Sequence, residues 1–336
     1  MILITACQHA SNVSNKSEER QARFSSRTVK DNDLNGSKFI TLGTAGGPLL
    51  EVNRSQPANA LVTEGGVYLV DAGDGAGGQL AKAGYSLQSV DAVFISHLHF
   101  DHTGGLPAIL GLRHQTNSPK TLTIYGPPGI KESVEGIFAF MAPEMRVGFA
   151  VPGARRSHSR PQDKTVVIEL IPGDPVNVNN MQVTAVENTH FTFPRGSDAA
   201  RLNKSFAYRF DLPDRSIVYT GDTGPSSSVV QLAKGADLLV SEMMDIPYTI
   251  KNIKRNNAKR AKQSPPAVLE GVFKHLRTHH VTPQQVGEMA AKAGVKSVVV
   301  THFAGKDDRQ SLDDYRDLIE LEFNGDVAIA TDLQIF

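Results

Sequence analysis

The sequence predicts an α/β protein in which two sheets pack face to face between outer layers of helices. Three observations carry that expectation. Apolar runs of strand length alternate with amphipathic stretches of helix length from about Lys38 onward. The alternation falls into two β-rich halves, each with helices of its own. Residues fit to bind metal cluster where apolar runs end, where a rigid scaffold aims side chains from loops.

Taken in order, strands are expected at 39–42, 60–63 and 67–71, the last running into Asp71-Ala72-Gly73. A helix near 75–83, a strand at 92–96, a helix from Leu106 and a strand at 122–125 follow. Gly126-Pro127-Pro128-Gly129 then turns the chain into a helix ending near Met141. The second half has strands at 165–170, 182–187, 206–211 and 217–220, and a helix at 227–234. A strand at 238–241, a helix at 283–293, a strand at 297–301, a helix at 312–323 and a strand at 327–331 complete it. Thr282-Pro283-Gln284-Gln285 is a strong helix start, with a threonine cap, proline in the first turn and glutamine three residues after the cap.

With 336 residues the chain can bury a large core. Its 35 basic and 35 acidic residues balance, so global charge does not argue for a nucleic-acid binder. No apolar stretch approaches the ~20 residues needed to cross a bilayer. Cys7 is the only cysteine, so no internal disulfide framework exists. Ile4-Thr5-Ala6-Cys7 has the small-residue pattern that precedes a lipid-bearing cysteine in exported bacterial proteins. Residues 8–36 are polar and aperiodic, like a tether. The expectation is a clipped signal remnant and tether over 1–36 and a folded domain over 37–336. The favoured location is periplasmic, with a lipid on Cys7 as the sole membrane link; a cytoplasmic location is the alternative.

The densest chemistry is His97-Leu98-His99-Phe100-Asp101-His102, after Val93-Phe94-Ile95 and before Gly104-Gly105. Three imidazoles and a carboxylate within six residues do not serve a core. In a strand His97, His99 and Asp101 share one face; in a tight turn all four converge. These ligand types suit zinc and its neighbours. Chance histidines explain one such residue and not four, and the expectation is a dinuclear metal site. His190 follows the strand at 182–187, Asp222 lies in Thr220-Gly221-Asp222-Thr223, and His302 follows Val298-Val299-Val300-Thr301. Each is placed just past the carboxyl end of an apolar strand.

With those residues in view the chain resembles the metallo-β-lactamase superfamily, an αββα sandwich with a His-x-His-x-Asp-His motif and three later ligands. The resemblance runs from about Lys38 to the C-terminus and makes 37–336 a catalytic domain of that fold. It implies that His97, His99 and His190 hold one metal, that Asp101, His102 and His302 hold the other, and that Asp222 bridges them. Asp71 is placed behind the ligands, where a carboxylate can accept a ligand histidine's second N–H; a plain turn residue before Gly73 is the competing reading.

Within the superfamily the chain is similar to ribonuclease Z, on several segments. These are Gly126-Pro127-Pro128-Gly129, Ser205-Phe206-Ala207-Tyr208, Ala236-Asp237-Leu238-Leu239-Val240-Ser241-Glu242 and His280-Val281-Thr282-Pro283. A further one is Ala290-Ala291-Lys292-Ala293-Gly294-Val295-Lys296, followed by a strand ending in Thr301-His302. That likeness puts Glu242 in the glutamate place of a His-Glu-Ala-Thr motif and His280 in the histidine place of a His-Ser-Thr motif. The chain departs from it at Ser241, Met243, Met244 and Val281. It also shows a short basic stretch, Arg155-Arg156-Ser157-His158-Ser159-Arg160, in place of a glycine-rich tRNA-gripping arm. These departures count against nucleic acid as the partner.

The expected chemistry is that of two zinc ions, with Mn²⁺ or Fe²⁺ as alternatives. Sharing Asp222 and a water, they would lower that water's pKa to near ~7 and give a hydroxide nucleophile. His280, oriented by Glu242, would protonate the leaving oxygen; a solvated turn at His279-His280 is the competing reading. The catalytic residues expected are Asp101, His280 and Glu242, and no role is expected of His9, His114, His158, His275 or His279. Lys251, Lys254, Arg255, Lys259, Arg260 and Lys262 form an acid-free basic run, read either as a cationic rim steering an anionic substrate or as a solvated helix face. The expected function is a dinuclear zinc hydrolase acting on a phosphodiester or similar small anionic ester. The alternatives are a lactonase, arylsulfatase or β-lactamase, then an iron oxidoreductase or a binding protein.

Overall fold

The computed structural model describes residues 36–147, 159–260 and 262–336. The first half builds β1 (Lys38–Gly43), β2 (Ala58–Thr63), β3 (Gly66–Ala72), β4 (Val90–Phe94), β5 (Leu122–Gly126) and β6 (Thr165–Glu169). The second builds β7 (Val176–Val178), β8 (Met181–Glu187), β9 (Phe206–Asp211), β10 (Ser216–Tyr219), β11 (Leu238–Met244), β12 (Ser297–Ala304) and β13 (Asp326–Ile329). The last strand, β14 (Gln334–Ile335), returns to the first sheet beside β1. Among the described residues the two sheets have seven strands each, ordered β14-β1-β2-β3-β4-β5-β6 and β13-β12-β11-β10-β9-β8-β7. In both, an antiparallel part joins a parallel part, at β3 in the first sheet and at β10 in the second. The expected αββα sandwich is the fold.

Strand alternation builds the layers. Tyr68, Val70, Ala92 and Phe94 point between the sheets, while Val67, Leu69 and Val93 point outward. Both faces of β3 and β4 are buried, which is why these strands read as continuous apolar runs. The outward face of the first sheet is covered by α1 (Ala76–Lys82), then, past the single turn α2 (Phe100–Thr103), by α3 (Leu106–Gln115) and α4 (Ile130–Val147). After the short α5 (Asp198–Leu202), α6 (Ser227–Leu232) begins the cover of the second sheet. Next come α7 (Ile246–Ala258) and α8 (Pro266–His279), then α9 (Pro283–Ala293) and α10 (Arg309–Glu320), which complete that cover. The α9 start has the expected reciprocal cap: Gln285 N–H donates to Thr282 Oγ1 and Thr282 N–H to Gln285 Oε1.

The inter-sheet layer is aromatic at its centre. Phe94, fully buried, stacks on Tyr125 at 5.0 Å and meets Phe210 edge-on at 5.3 Å. Phe94→Ala should therefore lower unfolding free energy by about 3–5 kcal/mol, measured by denaturant titration. A loss under about 1 kcal/mol would show that the layer collapses to fill the gap.

Several elements differ from the sequence expectation. The strand expected at 92–96 ends at Phe94, because the Ser96 backbone N–H turns to the Asp71 carboxylate at 2.7 Å. The helix expected at 312–323 begins at Arg309, where Asp308 caps it through Ser311 N–H. His302, expected past a strand end, lies inside β12, which continues to Ala304. The segment between Glu242 and His280 is the helix pair α7–α8. The proposed signal remnant, with Cys7, lies outside the described residues.

Candidate metal centre

Two bulges aim the side chains. Between β2 and β3 the register runs Ala58↔Ala72 then Asn59↔Val70, leaving Asp71 as the extra residue, at φ 59°. Between β11 and β12 it runs Ser241↔Val300 then Met243↔Phe303, so Thr301 and His302 face Glu242 alone, with His302 at φ 41°. A bulge re-aims a side chain, and a non-glycine residue at positive φ persists only where its surroundings hold it. Both strained residues serve this one site.

Asp71 organises the His97–His102 segment. Its carboxylate accepts from Ser96 N–H (2.7 Å), Ser96 Oγ (2.8 Å) and the Tyr219 hydroxyl (2.7 Å), and lies 2.7 Å from His102 Nδ1. Ser96 Oγ in turn lies 3.0 Å from His97 Nδ1. With Ser96 donating to Asp71, both His97 and His102 donate from Nδ1 and keep a lone pair on Nε2, the tautomer a metal needs. The turn reading of Asp71 is thus replaced by a hydrogen-bonding role. Asp71→Asn should weaken metal affinity by about 10- to 100-fold, measured by chelator competition. Unchanged affinity would remove Asp71 from the site.

The remaining groups fall into two sets that share Asp222. On one side His99 Nδ1 lies 3.0 Å from His97 Nε2 and 3.2 Å from His190 Nε2, with Asp222 Oδ2 at 3.9 Å from each of those Nε2 atoms. On the other, Asp222 Oδ1 lies 3.3 Å from His102 Nε2 and 3.2 Å from His302 Nε2. Asp101 Oδ2 lies 3.6 and 3.7 Å from the same two nitrogens. His102 Nε2 and Asp222 Oδ1 are buried without a hydrogen-bond partner, and the Gly47 N–H donates to His302 Nε2 at 3.1 Å. Buried polar atoms are otherwise paired. Orphans pointing into a nest of imidazole and carboxylate groups fit a divalent cation on this side, and the facing nitrogens of His97, His99 and His190 offer a second donor set on the other.

Electrostatics agree for the first set. In the second, burial disfavours the His102 cation, but Asp222 and Asp71 outweigh it and raise the pKa well above its ordinary value, so a metal there must displace a proton. Burial, then neighbouring imidazoles, push the His97 and His190 pKa values well down, so both are neutral and able to coordinate. Burial opposes the charge of Asp222, but His302 and His102 outweigh it and hold the carboxyl well below its usual range. His190 is fixed by its Nδ1, 3.2 Å from the His279 carbonyl oxygen. At Gly221, φ 57°, two chain segments pass close: a Cβ there would meet Phe206 O at 2.7 Å. No side chain fits at that approach to Asp222.

His280 and Glu242 form a buried pair, Nδ1 to Oε2 2.8 Å. The other Glu242 oxygen accepts from the Thr223 N–H, next to Asp222. Burial disfavours the His280 cation, but Glu242 outweighs it and pushes the pKa up to about 9. The ring stands 5.1 Å from His190 and 6.2 Å from His302. The pairing, and not a solvated turn, is what the structure shows.

His275, of which no role is expected, is also brought close to the site. On α8, it stands 5.2 Å from the His190 ring and 5.4 Å from His280, and burial lowers its pKa to about 4. Its signal was the four-residue spacing to His279, whose Nδ1 lies 2.7 Å from its own. His114 lines a separate cleft on α3, while His9 and His158 lie outside the described residues. A cavity of about 580 Å³ opens from His99, Asp101, His190, Asp222 and His280 toward α7 and α8. Of the basic run, Arg260 lines it; Lys251, Lys254, Arg255 and Lys259 are exposed residues outside the lining, so the rim reduces to one cation.

Fold and site together define a metal-dependent hydrolase. The Beta-lactamase superfamily domain matches residues 67–303, and the chain belongs to that superfamily; within it the chain is similar to ribonuclease Z proteins. It is 28% identical over 302 residues to a ribonuclease Z of Ignicoccus hospitalis, covering 83% of this chain and 93% of that one. Among solved structures it resembles the metallo-β-lactamase fold protein YhfI from Bacillus subtilis, with TM-score 0.63, 21% identity and coverage of 90% and 99%. It also resembles human tRNase Z, short form, with TM-score 0.60, 22% identity and coverage of 89% and 98%. The Ignicoccus hospitalis and human relatives, named as ribonuclease Z and tRNase Z, count against treating nucleic acid as a doubtful partner. The lipoprotein and periplasmic expectation gains no support from them. Among the described residues no helix is long and apolar enough to cross a membrane.

Proposed function

We propose that this chain is a dinuclear phosphodiesterase, with zinc the first choice of metal and Mn²⁺ or Fe²⁺ the alternatives. One observation carries the reading: the two oxygens of Asp222 face two separate imidazole sets, as a bridging carboxylate requires. His97, His99 and His190 would hold one ion, and Asp101, His102 and His302 the other. Bound there, the ions would lower the pKa of water and stabilise charge on a phosphoryl oxygen. The ribonuclease Z likeness supports a phosphodiester as the bond cleaved, and keeps RNA among the substrates to test.

The protein's own groups supply the rest. Asp222, held ionised in a buried setting, keeps the two imidazole sets together. Asp71 and the His279 carbonyl fix ring orientations, which saves reorganisation during turnover. His280 carries a proton at neutral pH and stands over the site, able to give it to a leaving oxygen. Glu242 holds that imidazole in place.

The deciding experiment compares a phosphodiester with an acyl-homoserine-type lactone, using one zinc-loaded preparation and a metal-stripped control. The expected result is metal-dependent preference for the diester by at least about tenfold in kcat/KM, a difference of roughly 1.4 kcal/mol. Preference for the lactone would show a site rebuilt for carbonyl attack, and full activity of the stripped protein would overturn the metal assignment.

A further inference from the structure

We propose that the helix pair α7–α8 walls a pocket for the apolar group of a small anionic ester, and so sets the specificity of the site. The inference rests on the hydrolase reading above and adds the substrate class.

The cavity is the size of a small-molecule site. Beyond the histidines its lining is mainly apolar: Leu49, Met244, Ile253, Leu269, Val272 and Leu276. Thr249, Ile253, Asn256 and Asn257 come inward at helical spacing and Arg260 follows just past the helix, while Lys251, Lys254 and Arg255 of α7 stay out of the lining. Charge patterning of the segment therefore hides a neutral inner face. The wall is anchored, since Met244, Ile246 and Leu276 are buried together with Ile250 and Ile253 packed against them. Met244 stands where the resembled motif has threonine, so a departure from that motif supplies part of the apolar wall. A polynucleotide site needs a row of cations along the backbone and aromatic faces for bases. Here, among the described residues, Arg260 is the one arginine or lysine and Phe100 the one phenyl ring in the lining, and the α7–α8 wall is otherwise aliphatic side chains with the neutral Thr249, Asn256, Asn257 and Ser264 beside His275. That is the chemistry of a compact anion with an apolar tail.

The test is titration of the metal-loaded protein with methylphosphonate and hexylphosphonate, followed by calorimetry. Each buried methylene should tighten binding roughly three- to fourfold, so the hexyl compound, with five more, is expected to bind roughly 200- to 1,000-fold more tightly. Leu269→Asp should reduce that ratio to below about fivefold, and the milder Leu269→Ala and Val272→Ala should lower it partway. The ratio is read within each variant, so a general loss of stability does not mimic the effect. Equal binding of the two phosphonates by the native protein overturns the proposal. So does a short single-stranded RNA that binds more tightly than hexylphosphonate and is indifferent to Leu269→Asp. Methyl and hexyl 4-nitrophenyl phosphodiesters separate the two readings. Hexyl preference in binding without turnover of either diester sinks the phosphodiesterase and leaves the pocket. Turnover of both with equal kcat/KM and equal binding does the reverse.

Discussion

In Asp222→Ala, metal content is expected to fall from two ions per chain to one or fewer, and phosphodiester turnover by on the order of 10³-fold or more. The size of the effect follows from the position of the side chain. Its two oxygens reach 3.2 and 3.3 Å from His302 and His102 on one side and 3.9 Å from His97 and His190 on the other. Each set otherwise holds together only through its own ligands. Truncation also removes the charge that offsets two cations in a buried site, so metal repulsion rises as affinity falls. Asp222→Asn is the companion variant, because it keeps the shape and removes the charge. Metal analysis after dialysis, alongside kcat/KM, distinguishes loss of pairing from loss of folding. A variant with near-normal rate and two ions would overturn the bridge. The contrast with Asp71→Asn is informative: Asp71 acts through hydrogen bonds to ligands, so its loss weakens binding without dismantling the pair.

How much of this was legible in the chain depends on the scale of the interaction. The His97–His102 cluster is local, and its density alone marks a metal site. His190 and Asp222 follow their strands as expected, because a strand end is visible in its apolar run. The bulges at Asp71 and His302 are not visible that way. A bulge is a relation between two strands, and a single strand's sequence carries no register. The strand-end reading of His302 therefore placed the residue well and the backbone poorly. The helix pair α7–α8 was hidden for a different reason. Lys251, Lys254 and Arg255 give α7 its charge, while Thr249, Ile253 and Asn257 form its inner face. Missing that face meant missing His275, which only α8 brings to the site. The departures at Met243 and Val281 have a packing account: both are fully buried in the layer behind the second sheet. They bear on the core and not on the partner, which is why they were a poor guide to substrate.

His280→Ala is expected to lower turnover of diesters with poor alkoxide leaving groups by about 10²- to 10⁴-fold. Diesters that release a nitrophenolate should lose less than about tenfold, because that anion departs without a proton. The asymmetry follows from the pair with Glu242. Burial alone would strip the imidazole of its proton, and Glu242 at 2.8 Å reverses the sign, raising the pKa to about 9. The acid form is therefore present through neutral pH and is lost as pH rises through about 9. In the native enzyme the alkoxide substrate should show that upper limb, and the nitrophenolate substrate should not. Glu242→Gln should move the limb to lower pH, since the stabilising charge is gone while the hydrogen-bonding shape remains. If His280→Ala slows both substrates equally, the residue shapes the site and donates no proton. If it slows only the alkoxide series and abolishes its upper limb, the proton at His280 is the one that leaves with the product.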